Sequence, residues 1–145
     1  MKKVVIDTNV FISALLGREG SYARLILDAV FDERVLPLMG DALFNEYSDV
    51  LTRSELFKKC PLDEEERLEL FASFMGCCKW TKIYFKWRPN LKDESDNHII
   101  ELAVAGGAKL IVTQNTKDFV SSELSFSGLE VLTPEIFLKE SKWVQ

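Results

Sequence analysis

The chain has 145 residues, of which 47% are apolar and 28% charged, so it is long enough for one domain with a buried core and too apolar to be disordered. Its net charge of −5 excludes a protein that coats nucleic acid by bulk electrostatic attraction, but it does not exclude a local basic surface. The apolar runs are too short to cross a bilayer, and the run after Met1-Lys2-Lys3 is interrupted at Asp7, which does not fit a signal peptide. We therefore expect a single cytoplasmic domain spanning residues 1–145, with its three cysteines reduced.

Strands and helices are predicted to alternate along the chain. Apolar runs predict strands over 4–6, 35–38, 80–86, 109–113 and 129–132. Helical periodicity and capping residues predict helices over 9–16, 21–31, 41–52, 54–59, 63–77 and 96–105, with a last helix from 134. Strands separated by helices indicate right-handed crossovers. The predicted fold is therefore a three-layer α/β/α domain with a central, mostly parallel sheet.

The helix over 63–77 carries two further expectations. Asp63 and Glu66 form a capping box at its start. Its apolar residues form one stripe with Leu68, Phe71, Met75 and Cys78, and a second stripe with Leu70, Phe74 and Cys77. A helix that is apolar on two sides is buried twice, so we expect one stripe in the core and the other in a homodimer interface.

Three acids occupy positions where the pattern predicts buried or inert residues. Asp7 closes the first strand, and Glu46 lies beside the apolar face formed by Leu43 and Val50. Asp96 stands at the core-facing start of its helix. Taken alone, Asp7 and Asp96 each have a simpler interpretation, which is that the residue caps the start of a helix. Together, however, three carboxylates from separate segments that meet at one sheet edge predict a site for a hard divalent cation.

Further oxygen donors follow another buried strand. Thr113, Asn115 and Asp118 come directly after the apolar run Leu110-Ile111-Val112. As separate residues they are ordinary loop formers. At the carboxyl end of a strand in the same sheet, they become candidate metal ligands or groups that orient the ligands.

A basic and aromatic segment extends over residues 79–92, KWTKIYFKWRPNLK. It contains no acid, and its cations alternate with four aromatic rings. Cations that contact phosphates beside rings that stack on bases are typical of single-strand binders, so Lys82, Lys86 and Arg88 are RNA-binding candidates. The alternative is an ordinary amphipathic strand whose rings pack inward while its lysines are solvated.

Four motifs together resemble the PIN-domain family of metal-dependent ribonucleases, over most of the chain. The segment Asp7-Thr8-Asn9, followed by Val10 to Ala14, is similar to the first motif, and Asn45-Glu46-Tyr47 to the second. The segment 93–98 leading into Glu101-Leu102-Ala103 resembles the third, with Asp96 as its acid. The fourth corresponds to 111–115 followed by Lys117-Asp118-Phe119, where Asn115 replaces the usual acid and Gln114 the usual glycine. The arrangement is most similar to bacterial and archaeal PIN proteins classed as toxins of toxin–antitoxin pairs.

The resemblance implies a metal-dependent endoribonuclease that cleaves single-stranded or structured RNA with a metal-activated water. Asp7, Glu46 and Asp96 would hold one or two Mg²⁺ or Mn²⁺ ions, with Asn115 or Asp118 as the fourth ligand. The smaller polar residues of the motifs would orient the ligands or position a phosphate: Thr8, Asn9, Ser13 and Thr113. The resemblance also implies an RNA substrate and a cognate antitoxin as partners. His98, the one histidine, is expected at the surface or behind the ligands, because it is two residues after Asp96 and points off that residue's face.

Two other phosphoryl-transfer classes share an aspartate at the end of the first strand. A haloacid-dehalogenase-type phosphatase requires a second acid two residues later, where this chain has Asn9. A response-regulator receiver requires an acidic pair beside that strand, and no such pair accompanies Asp7. From another class, a non-catalytic RNA-binding or protein-interaction domain with a degraded site remains the alternative, favoured by Asn115 and the negative charge.

Overall fold

A five-stranded parallel sheet forms the centre of the described part of the chain. The structure is a computed structural model and describes residues 2–17, 20–83, 97–119 and 128–140. The strands are β1 (Lys2–Ile6), β2 (Val35–Met39), β3 (Lys79–Trp80), β4 (Leu110–Val112) and β5 (Glu130–Leu132), in the order β3-β2-β1-β4-β5. Every pairing is parallel. The prediction of a mostly parallel sheet is confirmed, and β1 is its central strand.

Helices cover both faces of this sheet. The α-helices are α1 (Thr8–Leu16), α2 (Tyr22–Phe31), α3 (Asp41–Leu51), α4 (Glu64–Cys77), α5 (Asn97–Gly106) and α6 (Pro134–Glu140), with short 3-10 helices at Ser54–Phe57 and Thr116–Phe119. α2 and α4 contact β2, and α5 contacts β1, β2 and β4. Because crossovers between parallel strands are right-handed, this strand order puts α2 and α4 on one face and α5 on the other. This is the predicted three-layer α/β/α architecture. No described helix has the length and apolar character needed to span a bilayer.

The core is built on the apolar run of β1. Val4 and Val5 are 0% exposed and Ile6 is 1% exposed, as expected for a central strand covered on both faces. Under α1, α3 and α4, the rings of Phe11, Tyr47, Phe71 and Phe74 pack together, with centroid separations between 5.1 Å and 6.0 Å. These ring contacts fix α3 against α1 and so hold the helix that carries Glu46.

The helix ends follow the capping chemistry of the sequence. The Ser21 hydroxyl accepts a hydrogen bond from the Arg24 backbone N–H at 3.3 Å. Asp63 and Glu66 form the predicted capping box of α4, with reciprocal bonds of 2.8 Å and 3.1 Å. After α5, Gly107 has a φ of 75°, a conformation that L side chains rarely adopt.

Two predictions about elements were wrong. The strand predicted over 80–86 is only Lys79–Trp80, and Thr81 to Ile83 belong to no strand, while 84–86 lie outside the described residues. β3 is short because β2, its partner, ends at Met39, whose carbonyl accepts the last backbone bond from Thr81 at 2.8 Å. In α4, Phe71 and Phe74 come from different predicted stripes but are both buried, whereas Leu68 is 46% exposed. The buried face of this helix therefore lies between the two stripes.

Tyr47 connects α3 to the end of the central strand. Its hydroxyl donates to the Ile6 carbonyl oxygen at 2.8 Å and its side chain is fully buried. Burial raises the pKa of Tyr47 well above its ordinary value, so the hydroxyl keeps its proton and remains a donor.

We expect Tyr47→Phe to lower the free energy of unfolding by about 1–3 kcal/mol, because it removes the donor that satisfies a buried carbonyl while preserving the ring. Urea unfolding measures the effect. Tyr22→Phe is the matched control, since Tyr22 is 44% exposed, and its change should stay within about 0.5 kcal/mol. Equal changes in the two variants would show that the Tyr47 hydrogen bond contributes nothing to stability.

Candidate functional site

Polar side chains gather at the carboxyl edge of the sheet, where β1 and β4 end side by side. Asp7 follows β1 and Thr113 follows β4. The Asp7 backbone N–H donates to the Val112 carbonyl at 2.9 Å, and the Thr113 N–H donates to the Leu132 carbonyl at 3.0 Å. Both residues therefore still belong to the backbone ladder, which fixes where their side chains begin. Ligands of open parallel α/β sheets bind at this edge.

The Asp7 carboxylate is buried and held by neutral donors. It is 6% exposed. Oδ1 accepts the Thr8 backbone N–H at 2.8 Å, while Oδ2 accepts the Thr113 hydroxyl at 2.8 Å and the Asn9 amide at 3.4 Å. Asp7 thus does cap α1, as one alternative held, but capping occupies only one of its two oxygens.

Asn9 and Thr113 extend this network to the loop after β4. The Asn9 amide nitrogen also lies 3.3 Å from the Thr113 hydroxyl, and its amide oxygen accepts the Gln114 backbone N–H at 3.1 Å. The Thr113 hydroxyl accepts the Asn115 backbone N–H at 3.1 Å. One continuous set of hydrogen bonds therefore sets both the rotamer of Asp7 and the path of the loop that carries Asn115.

Glu46 reaches the same region from α3. It precedes Tyr47, whose hydroxyl binds Ile6, the residue before Asp7. Its Oε2 lies 2.8 Å from His98 Nε2, and the two side chains are 36% and 19% exposed respectively. The first turn of α5, which contains His98, is thereby joined to α3.

The electrostatics bring Asp7 and Glu46 into one site. Burial raises the pKa of Asp7 most strongly, and the negative charge of Glu46 raises it further. The Thr113 and Thr8 hydrogen bonds and the His98 imidazole act in the opposite direction on the Asp7 pKa, without reversing it. Among the described residues, no lysine or arginine pairs with Asp7. A buried carboxylate beside a second acid, held only by neutral donors, has the donor chemistry that fits a hard divalent cation.

His98 lies behind the proposed ligand Glu46, which is one of the two places that the sequence predicts for it. It is not a surface group, because residues 98, 101 and 102 share one side of α5, where Glu101 and Leu102 are 5% and 1% exposed. Its Nδ1 is buried and finds no hydrogen-bond partner within the described ranges. In the sequence, the four-residue spacing between His98 and the apolar Leu102 indicates that His98 is on the inward face of α5, whereas its spacing from Asp96 does not.

The remaining predicted residues fall in different places. Asp96, Lys86 and Arg88 lie outside the described residues, and the described part of the chain alone contains no cluster of three His, Cys, Asp or Glu that could hold a metal ion. Asn115 is exposed and Asp118 half-buried, and no described side-chain hydrogen bond joins either to Asp7. The other predicted positions are described as follows: Thr8 buried, Ser13 half-buried on α1, and Lys82 exposed just after β3.

The described residues form a parallel α/β/α fold with Asp7 and Glu46 at the carboxyl edge of its sheet, and comparison with known proteins gives the family. A sequence profile described as PIN domain matches residues 3–117, and the chain belongs to that family. PIN domains are generally nucleases. An uncharacterized protein of Methanocaldococcus jannaschii is 29% identical, over 95% of this chain and 90% of the relative. No solved structure matches significantly.

Proposed function

We propose that the protein is a metal-dependent endoribonuclease whose Mg²⁺ or Mn²⁺ is held by Asp7, Glu46 and Asp96. One observation carries the proposal: the buried Asp7 carboxylate lies at the carboxyl edge of the sheet with neutral donors as its only described hydrogen-bond partners, and the negative charge of Glu46 raises its pKa further. A buried carboxylate close to a second negative charge raises the free energy of the folded state when no cation is bound, and a bound cation removes this cost. Membership of a nuclease family supports the same conclusion.

The described residues have defined tasks in this proposal. Thr113 and Asn9 fix one oxygen of Asp7 by hydrogen bonds, which leaves the carboxylate in a single orientation. His98 holds Glu46 from α5. When bound, a divalent ion supplies a hydroxide-like nucleophile at neutral pH and neutralises charge that develops on the phosphate.

The fourth ligand is Asn115 or Asp118. A neutral amide at Asn115 adds no negative charge, so one ion would bind firmly and a second would bind weakly or together with the RNA phosphate. Thr8 and Ser13, which follow Asp7 on α1, are the remaining candidates for positioning that phosphate.

RNA is the substrate that fits the rest of the surface. Lys82 is exposed, and Trp80, two residues earlier, is 46% exposed although its ring contacts Phe44 at 5.9 Å. An exposed cation two residues from an exposed ring supports a single-strand binding role for Lys82, and Lys86 and Arg88, which lie outside the described residues, remain candidates from the sequence. The motif resemblance supports a toxin with a cognate antitoxin. The apolar residues on two sides of α4 support a homodimer, and the short apolar runs of the sequence support a cytoplasmic location. A non-catalytic RNA-binding or protein-interaction domain is the second candidate, favoured by the neutral Asn115.

Cleavage of a labelled single-stranded RNA with Mn²⁺, Mg²⁺ or a chelator tests the proposal. We expect cleavage with either metal and none with the chelator, and we expect single-stranded DNA of the same sequence to be a poorer substrate. RNA binding without cleavage in any metal would instead support the non-catalytic candidate.

We expect His98→Ala to weaken Mn²⁺ binding and RNA cleavage by about 10–100-fold, because the ligand Glu46 would lose the partner that orients it. His98→Gln should recover part of both, since its amide can still donate to Glu46. Calorimetric titration with Mn²⁺ separates the metal effect from catalysis. If both variants bind Mn²⁺ as the wild type does, His98 does not position Glu46.

A further inference from the structure

A small cavity of about 310 Å³ lies beside the acid site. Ser13 lines it and is four residues after Asn9 on α1, and Gln114 lines it directly after Thr113. Since one helical turn advances about 5.4 Å, the cavity begins roughly one turn from the hydrogen-bond network around Asp7. The Gln114 backbone N–H donates to Asn9 at 3.1 Å, so the cavity wall and that network are one connected structure.

Apart from Glu135, the hydrogen-bonding side chains of the lining are neutral. Ser21 and Thr133 accept backbone N–H groups of Arg24 and Ile136, each at 3.3 Å, as helix caps. A hydroxyl that accepts one bond retains its own O–H donor, and both residues line the cavity. The carboxylate on its rim, Glu135, is neutralised by Lys139 at 2.7 Å.

Tyr22 adds an aromatic surface to this cavity. Tyr22 lines the cavity and is 44% exposed, so part of its surface is accessible to a ligand. The Lys139 ammonium lies 5.9 Å from the ring centroid, which places a positive charge beside the ring. An exposed ring surrounded by hydroxyl and amide groups suits a flat, polar heterocycle better than a peptide side chain or a metal ion.

We propose that this cavity binds the nucleoside next to the cleaved phosphate, with the base stacked on Tyr22 and its edge or ribose bound by Ser21, Thr133 and Gln114. The volume lies at the lower end of the range for ligand pockets, about 300–1,000 Å³, and so admits one nucleoside. This inference rests on the proposed ribonuclease function, because the adjacent acid site defines which nucleoside is meant. The cavity then determines the base preference of cleavage.

Binding is measured first in chelator, so that it is independent of cleavage. The probe is a fluorescent single-stranded RNA ten nucleotides long, used in four versions that differ in one central base. We expect Tyr22→Ala to weaken binding about tenfold or more and to reduce the difference among the four versions, because alanine removes the stacking surface. Tyr22→Phe should bind within about twofold of the wild type, since the ring is retained. Leu25→Ala is the control, because Leu25 is also exposed on α2 (38%) but does not line the cavity.

The outcomes separate this inference from the proposed function. Weakened binding with Tyr22→Ala supports the cavity even if no metal elicits cleavage, in which case only the ribonuclease proposal fails. Wild-type affinity and base preference in Tyr22→Ala overturn the inference, including when the wild type cleaves RNA normally. Equal losses in Tyr22→Ala and Leu25→Ala also overturn it, because the loss would then reflect α2 as a whole.

Discussion

Asp7→Asn is expected to reduce RNA cleavage by roughly 1,000-fold or more. The substitution keeps the size of the side chain and its cap on Thr8, but it removes the negative charge of a buried acid of the site. Loss of a metal-binding carboxylate removes several kcal/mol of transition-state stabilisation, and each 1.36 kcal/mol corresponds to a factor of ten.

Single-turnover cleavage at saturating Mn²⁺ measures this loss. Asp28→Asn is the matched control, because Asp28 is exposed on α2 and the same chemical change there should leave the rate unchanged. Residual activity within tenfold of the wild type would remove Asp7 from the catalytic machinery. Asp96→Asn should match Asp7→Asn, since both residues are proposed ligands.

The second large effect is a loss of stability when Asp7 ionises in the metal-free protein, and metal binding should reverse this loss. Burial and the charge of Glu46 raise the Asp7 pKa above its ordinary value of 3.8, so the folded state binds a proton more tightly than the unfolded state. The contribution of Asp7 to the stability of the metal-free wild type is therefore fully present below pH 3.8 and is lost as pH rises through the raised pKa. Asp7→Asn lacks this titration, so its stability should decline less over the same range.

Mn²⁺ binding should restore the folding stability that is lost when Asp7 ionises. At a metal concentration of about 100 times the dissociation constant, binding to the folded state alone adds about 2.7 kcal/mol, which raises the melting temperature by several degrees. Asp7→Asn should gain little. Thermal unfolding at pH 7, with and without Mn²⁺, measures the effect in the wild type and in Asp7→Asn. If Mn²⁺ leaves the melting temperatures of both the wild type and the control Asp28→Asn unchanged, Asp7 is not a metal ligand.

Much of the fold could be predicted because its signals are local. The apolar run Val4 to Ile6 predicts a central strand, and the capping box at Asp63 fixes the start of α4 within a few residues. The length of β3 could not be predicted, because it depends on where β2 ends, some forty residues earlier in the chain. The buried face of α4 was missed for a similar reason: the helix packs through both Phe71 and Phe74, and its sequence is apolar on more than one side.

In the candidate site, too, the features with local signals could be predicted, and those that depend on distant residues could not. Asp7 and Glu46 could be identified because acids interrupt an apolar pattern, which is visible in the sequence alone. The Thr113 hydroxyl on Asp7 joins residues 106 positions apart, and the His98 contact with Glu46 joins residues 52 positions apart. Hydrogen bonds between such distant residues follow from strand order and helix rotation, so the sequence indicated Thr113 only as a candidate and underestimated His98.

Anomalous X-ray scattering from a Mn²⁺-soaked crystal tests the metal site most directly. We expect a manganese peak at the carboxyl edge of the sheet, roughly 2.0–2.3 Å from oxygens of Asp7 and Asp96, with Glu46 as a direct or water-linked ligand. The same soak of Asp7→Asn crystals should show the peak lost or strongly reduced. If a wild-type crystal saturated with Mn²⁺ shows no peak at this edge, or shows one only elsewhere on the molecule, then Asp7, Glu46 and Asp96 do not form a metal site.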